Sequence, residues 1–485
     1  MQGIKDYQEK LFLSFRLSAH VPKENFYRRL KETLDLSYLR KMTAHYYGTE
    51  GQKSIDTEVF FKLMLIGYLE NINSDRKIIE NAQMRLDMLY FLGYDLDEPL
   101  PWHSTLSRTR QLFGEEVFLE LFRNIVRMCV ERGLTSGRTQ AIDSAFIKAN
   151  ASMDSLVECE LQEKSKQFLN EITENEEDNT NKKVKHSERF VSTTDPDARV
   201  SQKKGKLPAL NHLGIISVDT ENHIICGAMA DFADTKDSNT TQKIVGQTIE
   251  NLQDSKLKIE EVLADTNYSS GGTYKFLEDK SITAYIPTHG AYCFEKEGFI
   301  YNEKEDCYIC SRGIKLPFKG IKKEKSRETL TKEYRATVAD CKNCSLKEKC
   351  CKKSKYKQVS HSVDKPHYDK AYKLLNTRQG KQKMRLRKTT VEPVWGTLLY
   401  FRGLKKVYTK GNDLANKQVL MAAAAYNLKK LMGFKTIKSA TNAIKNIVAD
   451  LKSSVLEQIL SFFESVLFRL KEKSKTMKIL PVYQV

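Results

Sequence analysis

Apolar residues in the first part of the chain recur every three or four positions. This spacing predicts one helix around Phe60–Leu69 and another around Phe118–Cys129. Ser104 or Thr105 is suitably placed to cap a further helix between them. Residues 1–135 are therefore predicted to form an all-α domain. Short helices of this kind suit a DNA-binding domain, and they equally suit a plain helical bundle.

The hydrophobic pattern changes near residue 138 from a helical period to strand-like runs. Residues 136–289 alternate strand and helix patterns, which predicts a mixed α/β layered core. Within this region, residues 151–205 are polar and charged, which predicts a mobile insertion. The predicted strands are Gln140–Ile147, His212–Val218, His223–Ala230, Glu261–Ala264 and Ile282–Pro287, and the predicted helices are Thr241–Leu252 and Thr273–Asp279.

The chain from residue 290 onward divides into two segments of different composition. Residues 290–380 are rich in cysteine and lysine and interrupt the core pattern. Residues 381–485 are assigned to a C-terminal helical part, with a helical pattern predicted from Thr389 to about Leu470. A chain of 485 residues is too long for one ordinary hydrophobic core, which agrees with several domains.

The positive charge of the chain is concentrated in two stretches. The formal net charge is +18, and residues 321–358 and 381–410 each contribute a net +8. A solvated basic surface is the ordinary explanation for one such stretch. Two of them in an otherwise balanced chain favour a channel that binds phosphates. No apolar run approaches the roughly 18 residues that span a bilayer, and no signal-peptide pattern is visible, so we expect a cytoplasmic protein without a membrane partner.

Three acidic residues stand out from their surroundings. Asp143 interrupts an apolar strand, where an unpaired carboxylate is costly to bury. Asp265 follows a predicted strand, at the edge where α/β sheets place their sites. Glu392 is the only acid in the second basic stretch. Each has a structural alternative: an exposed edge strand for Asp143, a turn or helix cap for Asp265, and a capping box with Thr389 for Glu392.

Converging carboxylates inside a basic channel have a specific chemical use. In-line cleavage of a phosphodiester requires that negative charge be neutralised on both the attacking and the leaving oxygen, and two metal ions about 3.5–4 Å apart accomplish this. Mg²⁺ prefers carboxylate oxygens as protein ligands. The three acids and the basic stretches together therefore predict metal-dependent chemistry on a nucleic acid.

At these residues the chain resembles the bacterial insertion-sequence transposases of the DDE class. The resemblance depends on the order and spacing of several short motifs, with 122 residues between Asp143 and Asp265 and 127 between Asp265 and Glu392. The motifs are Val21–Arg29, Ile55–Leu63, Ser74–Arg76, Phe91–Gly93, His103–Thr105, Ala141–Asn150, Thr194–Arg199, Ala264–Tyr268, Arg387–Gly396 and Ala422–Leu428.

The resemblance implies both a fold and an activity. It implies an RNase H-like mixed sheet flanked by helices, with Asp143, Asp265 and Glu392 as the triad that binds catalytic Mg²⁺ or Mn²⁺. It implies a homodimer that binds the terminal repeats of its element in double-stranded DNA, cleaves there and transfers the 3′-hydroxyl ends to target DNA. The expected location is the cytoplasm, in association with the nucleoid.

The resemblance also suggests DNA contacts, with two departures. Arg387 and Lys388 match the basic residue that often precedes the glutamate, whereas the lysine often found seven residues after the glutamate is Leu399 here, and the tyrosine often found three residues before the basic one is Met384. The Leu399 departure favours one alternative, a DNA-binding relic without activity, and an RNase H-like nuclease that does not join strands is the other. For one member of the predicted set, Trp395, core packing is the alternative. The predicted DNA-binding residues are Arg387, Lys388, Trp395, Arg402, Lys405, Lys406, Lys352 and Lys353.

The cysteines of residues 290–380 have the spacing of metal-binding knuckles. Without an export signal, the ten cysteines of the chain are expected to be thiols or metal ligands rather than disulfides. Two Cys-x2-Cys pairs, Cys307 with Cys310 and Cys341 with Cys344, predict a structural Zn²⁺ held by four thiolates, with Cys350 as a possible substitute. Buried free thiols are the alternative.

Overall fold

The computed structural model describes residues 15–48, 50–51, 53–158, 190–202, 205, 207–289, 292, 294–323 and 329–434. The chain divides after Met432 into two units, and the fold described below belongs to the first. Residues 159–189 of the predicted mobile insertion and the predicted helical pattern from 435 to Leu470 lie outside the described residues.

The N-terminal region is helical, as predicted. Asp56 caps α4 by accepting a hydrogen bond from the Glu58 amide at 2.7 Å, and α4 is buried on nearly all sides, so it forms the centre of this region. The predicted cap at Ser104 or Thr105 is wrong, because α7 already begins at His103. The helices are α1 (Leu17–His20), α2 (Phe26–Thr33), α3 (Ser37–Thr43), α4 (Thr57–Leu69), α5 (Asp75–Met84), α6 (Leu86–Leu92), α7 (His103–Leu112) and α8 (Glu115–Glu131).

A mixed sheet follows, with β1 at its centre. Strand β1 pairs antiparallel with β5 on one side and parallel with β7 on the other; β8 extends the sheet beyond β7, and β4 and β6 pair with the far edge of β5. The strands are β1 (Thr139–Lys148), β2 (Leu156–Glu158), β3 (Phe190–Ser192), β4 (Arg199–Ser201), β5 (Ala209–Asp219), β6 (Ile225–Phe232), β7 (Glu261–Leu263) and β8 (Thr283–Tyr285). The predicted mixed α/β core is confirmed. The region 151–205 was predicted only as a mobile insertion, but it contributes β4 to this sheet and a separate ribbon of β2 and β3.

Two helices lie between the last three strands of the central sheet in sequence order. Helix α9 (Asp237–Gln253) links β6 to β7, and α10 (Gly271–Asp279) links β7 to β8. Helix α9 packs closely on β6 at Gly227, where an added Cβ would lie 2.4 Å from the Thr248 hydroxyl oxygen. Glycine is therefore required there for the helix to approach the sheet.

The cysteine-rich segment forms a second, antiparallel sheet. Its strands, in order along the sheet, run from β13 to β9. A small core of its own forms around Tyr308, Leu316, Tyr334 and Val359. The elements are β9 (Phe299–Asn302), β10 (Cys307–Cys310), β11 (Lys315–Lys323), β12 (Leu330–Arg335), α11 (Val338–Lys342), α12 (Lys347–Cys350), β13 (Gln358–Ser362) and α13 (Lys365–Asn376).

Two long helices complete the described chain, α14 (Arg378–Phe401) and α15 (Asn412–Gly433). Helix α14 begins eleven residues before the predicted start at Thr389, because Thr377 caps it by accepting a hydrogen bond from the Gly380 amide at 2.9 Å. Thr389 is therefore inside the helix, and its hydroxyl donates to the Leu386 carbonyl at 3.0 Å. The capping-box alternative for Glu392 is thereby excluded.

Helix α15 is almost entirely buried and is attached to the edge strand β6. The Asn427 side chain accepts a hydrogen bond from the Ile225 amide at 2.9 Å and donates one to the Ile225 carbonyl at 2.8 Å. These bonds satisfy backbone groups that an uncovered sheet edge would leave unpaired. Within the described ranges, no helix combines the length and the apolar character needed to cross a membrane.

Candidate active site

The register between β1 and β7 brings two of the predicted acids together. Ala141 of β1 pairs with Leu263 of β7 in a parallel ladder. Asp143 lies two residues after Ala141, and Asp265 lies two residues after Leu263. Because neighbouring strands lie about 4.8 Å apart, this ladder brings together two residues separated by 122 positions. Asp143 lies on the central strand, so the edge-strand alternative for it is wrong.

Arg387 of α14 lies between these two carboxylates. Its Nη2 atom is 3.6 Å from Asp143 Oδ1 and 3.6 Å from Asp265 Oδ2. The arginine is buried, and its Nε has no hydrogen-bond partner among the residues that the structure describes. Contacts of 3.6 Å are ion pairs without a direct hydrogen bond. The two carboxylates thus share one positive charge that is held only loosely.

The electrostatics of Asp143 follow from its surroundings. Burial raises the pKa of Asp143 to about 6, Arg387 opposes the shift, and the negative charges of Asp265 and Asp237 add to it. A buried carboxylate beside like charges is stabilised by any further cation that enters the site.

Asp265 divides its two oxygens between two tasks. Oδ1 accepts a hydrogen bond of 2.9 Å from the Asn267 amide and so caps the 3₁₀ turn Thr266–Tyr268. Oδ2 faces Arg387. The predicted turn cap and the predicted position at the sheet edge are therefore both present in this one residue.

A third acid near this pair, Asp237, was not among the predicted site residues. It is the first residue of α9, and its Oδ1 accepts a hydrogen bond of 2.7 Å from the hydroxyl of Ser144, the neighbour of Asp143. Burial raises the pKa of Asp237, and Asp265 raises it further. The available signal was its place at the connection from β6 to α9, because β6 runs in the same direction as β1 and ends at the same edge of the sheet.

Glu392 stands apart from the two aspartates. It is exposed on α14, five residues after Arg387, which places it about 140° further around the helix. Within the described ranges its carboxylate forms no ion pair or hydrogen bond with another residue. The structure thus brings together Asp143 and Asp265 and leaves the predicted third ligand on the solvent-exposed face of the same helix.

The predicted DNA-binding residues differ in their exposure. Lys388, Lys405, Lys352 and Lys353 are exposed, and Lys406 is half-buried. Arg402 and Trp395 are buried, and Arg387 is turned inward to the aspartates.

Arg402 and Trp395 have structural roles instead of a DNA-facing position. The Arg402 guanidinium is buried and donates to the carbonyls of Leu69 at 3.1 Å and Phe401 at 2.6 Å, so it connects α14 to α4. The Trp395 ring is only 5 % exposed, and an added Cβ at Gly214 would lie 2.9 Å from its Cη2. The indole therefore packs on β5, which is the core-packing alternative.

The four cysteines of the predicted zinc site do not form one group. Cys307 and Cys310 both belong to β10, and residues three apart on a strand point to opposite faces. Cys307 donates to Glu305 Oε2 at 3.7 Å, whereas Cys310 packs against the core of the second sheet, to which Cys341 belongs. In the part of the chain that the structure describes, no three His, Cys, Asp or Glu side chains are grouped to hold a metal ion. The predicted zinc ribbon is therefore not supported.

The thiol environment agrees in part with the alternative of buried free thiols, because Cys307, Cys341 and Cys351 are buried and the other three thiols of this segment are half-buried. Burial raises the pKa of Cys351 to about 11, and the neighbouring thiols of Cys341 and Cys350 raise it as well. All six cysteines of the second sheet are free. Thiols of this kind behave as small hydrophobic side chains.

Two segments of the chain match known protein families. Residues 15–112 match the family described as Transposase domain (DUF772), and residues 309–432 match the Transposase DDE domain. Glu392 lies inside the second segment, and Asp143 and Asp265 lie between the two. No curated protein matches the chain. Both family matches define the same class of protein, the DNA transposases.

The resemblance to the DDE-class insertion-sequence transposases is thereby confirmed by two family matches. Among solved structures, the cryo-EM structure of the piggyBac transposase synaptic complex with hairpin DNA is similar over 88% of this chain and 84% of that chain. The identity is 11% and the TM-score is 0.23, so this likeness carries no weight here.

Proposed function

We propose that this protein binds the ends of its element in double-stranded DNA, cleaves phosphodiester bonds there and joins the freed 3′-hydroxyl to target DNA. The observation that carries the proposal is the convergence of Asp143 and Asp265 on one positive charge. The two transposase matches supply the substrate class. A homodimer at the paired element ends and a cytoplasmic, nucleoid-associated location belong to the same proposal.

The sheet supports an RNase H-like catalytic domain. A central β1, flanked by antiparallel β5 with β6 beyond it on one side and by parallel β7 and β8 on the other, is the strand arrangement of that fold. In such a sheet the acids of the site stand on the central strand and at the end of its parallel neighbour. Asp143 and Asp265 occupy these two positions.

The aspartate pair fits a divalent cation. Carboxylate oxygens are the ligands that Mg²⁺ and Mn²⁺ prefer, and the contact of both with one guanidinium demonstrates that a positive charge is accommodated between them. Asp143 and Asp265 would hold the ion, with Glu392 as the ligand assigned by resemblance. When bound, the ion supplies charge neutralisation and an activated attacking oxygen. Zinc is left out of the proposal, because Cys307 and Cys310 point to opposite faces of β10.

The residues of the chain contribute position and charge. Asp143 is fixed by the ladders on both sides of β1. Asp265 is fixed through Oδ1 by the turn that it caps, which leaves Oδ2 directed at the site. The exposed lysines Lys388, Lys405, Lys352 and Lys353 provide cations for DNA phosphates.

A strand-transfer assay tests this function. The purified protein is incubated with the DNA that flanks its own gene, with and without Mg²⁺, beside the variants Asp143→Asn, Asp265→Asn and Glu392→Gln. Asp254→Asn is a matched control, since Asp254 is an exposed acid just after α9 whose partner is Arg127. We expect the three site variants to lose nicking and joining while they retain DNA binding, and the control to keep both.

Other outcomes of the same assay separate the alternatives. Wild-type binding without any metal-dependent cutting would indicate a DNA-binding relic. Linear products without joined species would indicate a nuclease. Cutting by Asp265→Asn at the wild-type rate would contradict the proposed site.

A further inference from the structure

Four cations form a line on the exposed face of α14. Arg378, Lys381, Arg385 and Lys388 follow each other at spacings of three, four and three residues, which places them on one side of a helix. All four are exposed. We call these four residues the basic stripe. Glu392, four residues after Lys388, continues the same face.

The positive charges of the basic stripe are not paired with carboxylates in the part of the chain that the structure describes. Like charges three and four residues apart destabilise a helix. In addition, Arg378 begins α14, whose first turn contains no acid, and a cation at a helix N-terminus opposes the helix dipole. The helix thus carries a charge arrangement that its own stability does not favour, and an anionic partner would offset it.

The direction in which the stripe faces is fixed by the buried side of the helix. Thr390, Val391, Val394 and Leu398 are fully buried, and α14 packs against β1, β5, β7 and β8. The helix cannot rotate without exposing this apolar face. The stripe is therefore held toward solvent.

The length of the stripe suits one strand of DNA. Ten residues of helix rise about 15 Å, and one strand of a duplex carries a phosphate every 3.4 Å or so along its axis. Four cations thus span roughly four successive phosphates. Glu392 lies about 6 Å beyond Lys388 along the helix.

We propose that the basic stripe is the track for the sugar–phosphate backbone of one DNA strand, which it leads along α14 toward Glu392. This inference rests on the proposed function for its DNA partner. It extends that function by naming the phosphate contacts and the path of the bound strand along α14. A track of this kind contacts phosphates and therefore reads no sequence.

Salt dependence of DNA binding tests the track. Fluorescence anisotropy measures the affinity of the full chain for a labelled 30-base-pair duplex, in either the element-end sequence or a random sequence, between 50 and 300 mM KCl without divalent metal. The test variant replaces all four stripe residues by Gln. The matched control replaces four exposed lysines of other elements, K258Q, K275Q, K280Q and K304Q, and so removes the same charge.

The expected result is a loss of slope. Each phosphate contact contributes about 0.9 to the slope of log K against log salt, so the stripe variant should lose about 3 to 4 from the slope, equally on both duplexes. The control should keep the wild-type slope within about one. Thermal unfolding should show the stripe variant folded and no less stable than the wild type.

Three outcomes would overturn the track: a stripe variant with the wild-type slope, an equal loss in the control, or a loss confined to the element-end duplex. The cleavage assay is independent of this measurement. A protein that cuts DNA but binds it without the stripe loses only the track. A protein that binds through the stripe but never cuts loses only the proposed activity.

Discussion

The aspartate pair of the central sheet and the cysteines of the second sheet make an instructive comparison. Both were predicted as metal sites from residue type and spacing. Asp143 and Asp265 are 122 residues apart and share one guanidinium. Cys307 and Cys310 are three residues apart and face opposite sides of β10. Closeness in the sequence was therefore a poor indication of which of these residues come together in the fold.

The difference lies in the local structure that supports each set. Parallel pairing of β1 and β7 aligns their ends regardless of how much chain connects them, so distant residues converge. A Cys-x2-Cys pair converges only when its backbone turns between the two thiols. In β10 the backbone is extended and alternates its side chains.

Among the tests of this comparison, removal of an aspartate should have the largest effect, and the effect is on the rate of DNA cleavage. Asp143→Ala removes the carboxylate of β1 that faces Arg387. The substitution should reduce the cleavage rate at least about a thousandfold, which corresponds to a loss of about 4 kcal/mol of transition-state stabilisation. Single-turnover cleavage of an element-end duplex in Mg²⁺ measures the rate. A loss of less than tenfold, with Asp254→Asn as reference, would argue against a catalytic pair.

The raised pKa of Asp143 predicts the direction of a stability change with pH. Because the folded-state pKa is about 6, above its usual value near 4, the acid stabilises the metal-free fold at low pH, and this contribution is lost as pH rises through 6. Asp143→Asn should therefore be more stable than the wild type at pH 8, by about 1–3 kcal/mol, and lose this advantage near pH 4. Urea unfolding in EDTA measures both; equal differences at the two pH values would contradict the prediction.

Substitution of Asp237 should cause a smaller loss, which is a loss of Mn²⁺ affinity. This test shows how far the acidic site extends beyond the original pair. Asp237→Asn weakens the acceptor for Ser144 and removes a charge near Asp143, so we expect about a tenfold loss of Mn²⁺ affinity, the size typical of residues behind a metal ligand. Calorimetric titration measures it, with Ser144→Ala as a companion expected to lose less. Wild-type affinity in Asp237→Asn would limit the site to the original pair.

The smallest effect concerns the cysteines. Cys307→Ser should leave the metal content of the purified protein unchanged, because this thiol points away from the face that carries Cys310. Elemental analysis of zinc per chain compares this variant with the wild type and with Cys341→Ser. Zinc present in the wild type and lost on the Cys307 substitution would show that this thiol is a ligand after all.

The hydrophobic pattern was sufficient to predict most strands of the central sheet and the helical character of the N-terminal region, where it placed three helices, α4, α7 and α8. It placed β1, β6 and α9 to within a few residues, because each has a clear buried face. It missed β4, whose three residues are all only half-buried, and the first eleven residues of α14, where the exposed basic stripe hides the helical period.

The candidate site was predictable in part for a different reason. Asp265 follows from the rule that sites lie at strand ends, and Asp143 follows from the cost of an unpaired carboxylate in an apolar strand. Asp237 also follows a strand, but it lies before the predicted helix start at Thr241. The inward position of Arg387 and the packing of Trp395 on Gly214 depend on how α14 lies across the sheet. That is a tertiary fact with no local signal in the sequence.

The most direct test of the central claim is a calorimetric titration of Mn²⁺ into the DNA-free protein. The wild type, Asp143→Asn, Asp265→Asn and the control Asp254→Asn are compared at pH 7.5. If Asp143 and Asp265 hold one cation together, either substitution should weaken the same binding event at least about tenfold, and the control should match the wild type. Undiminished binding in Asp265→Asn would show that the two aspartates are neighbours without a shared site.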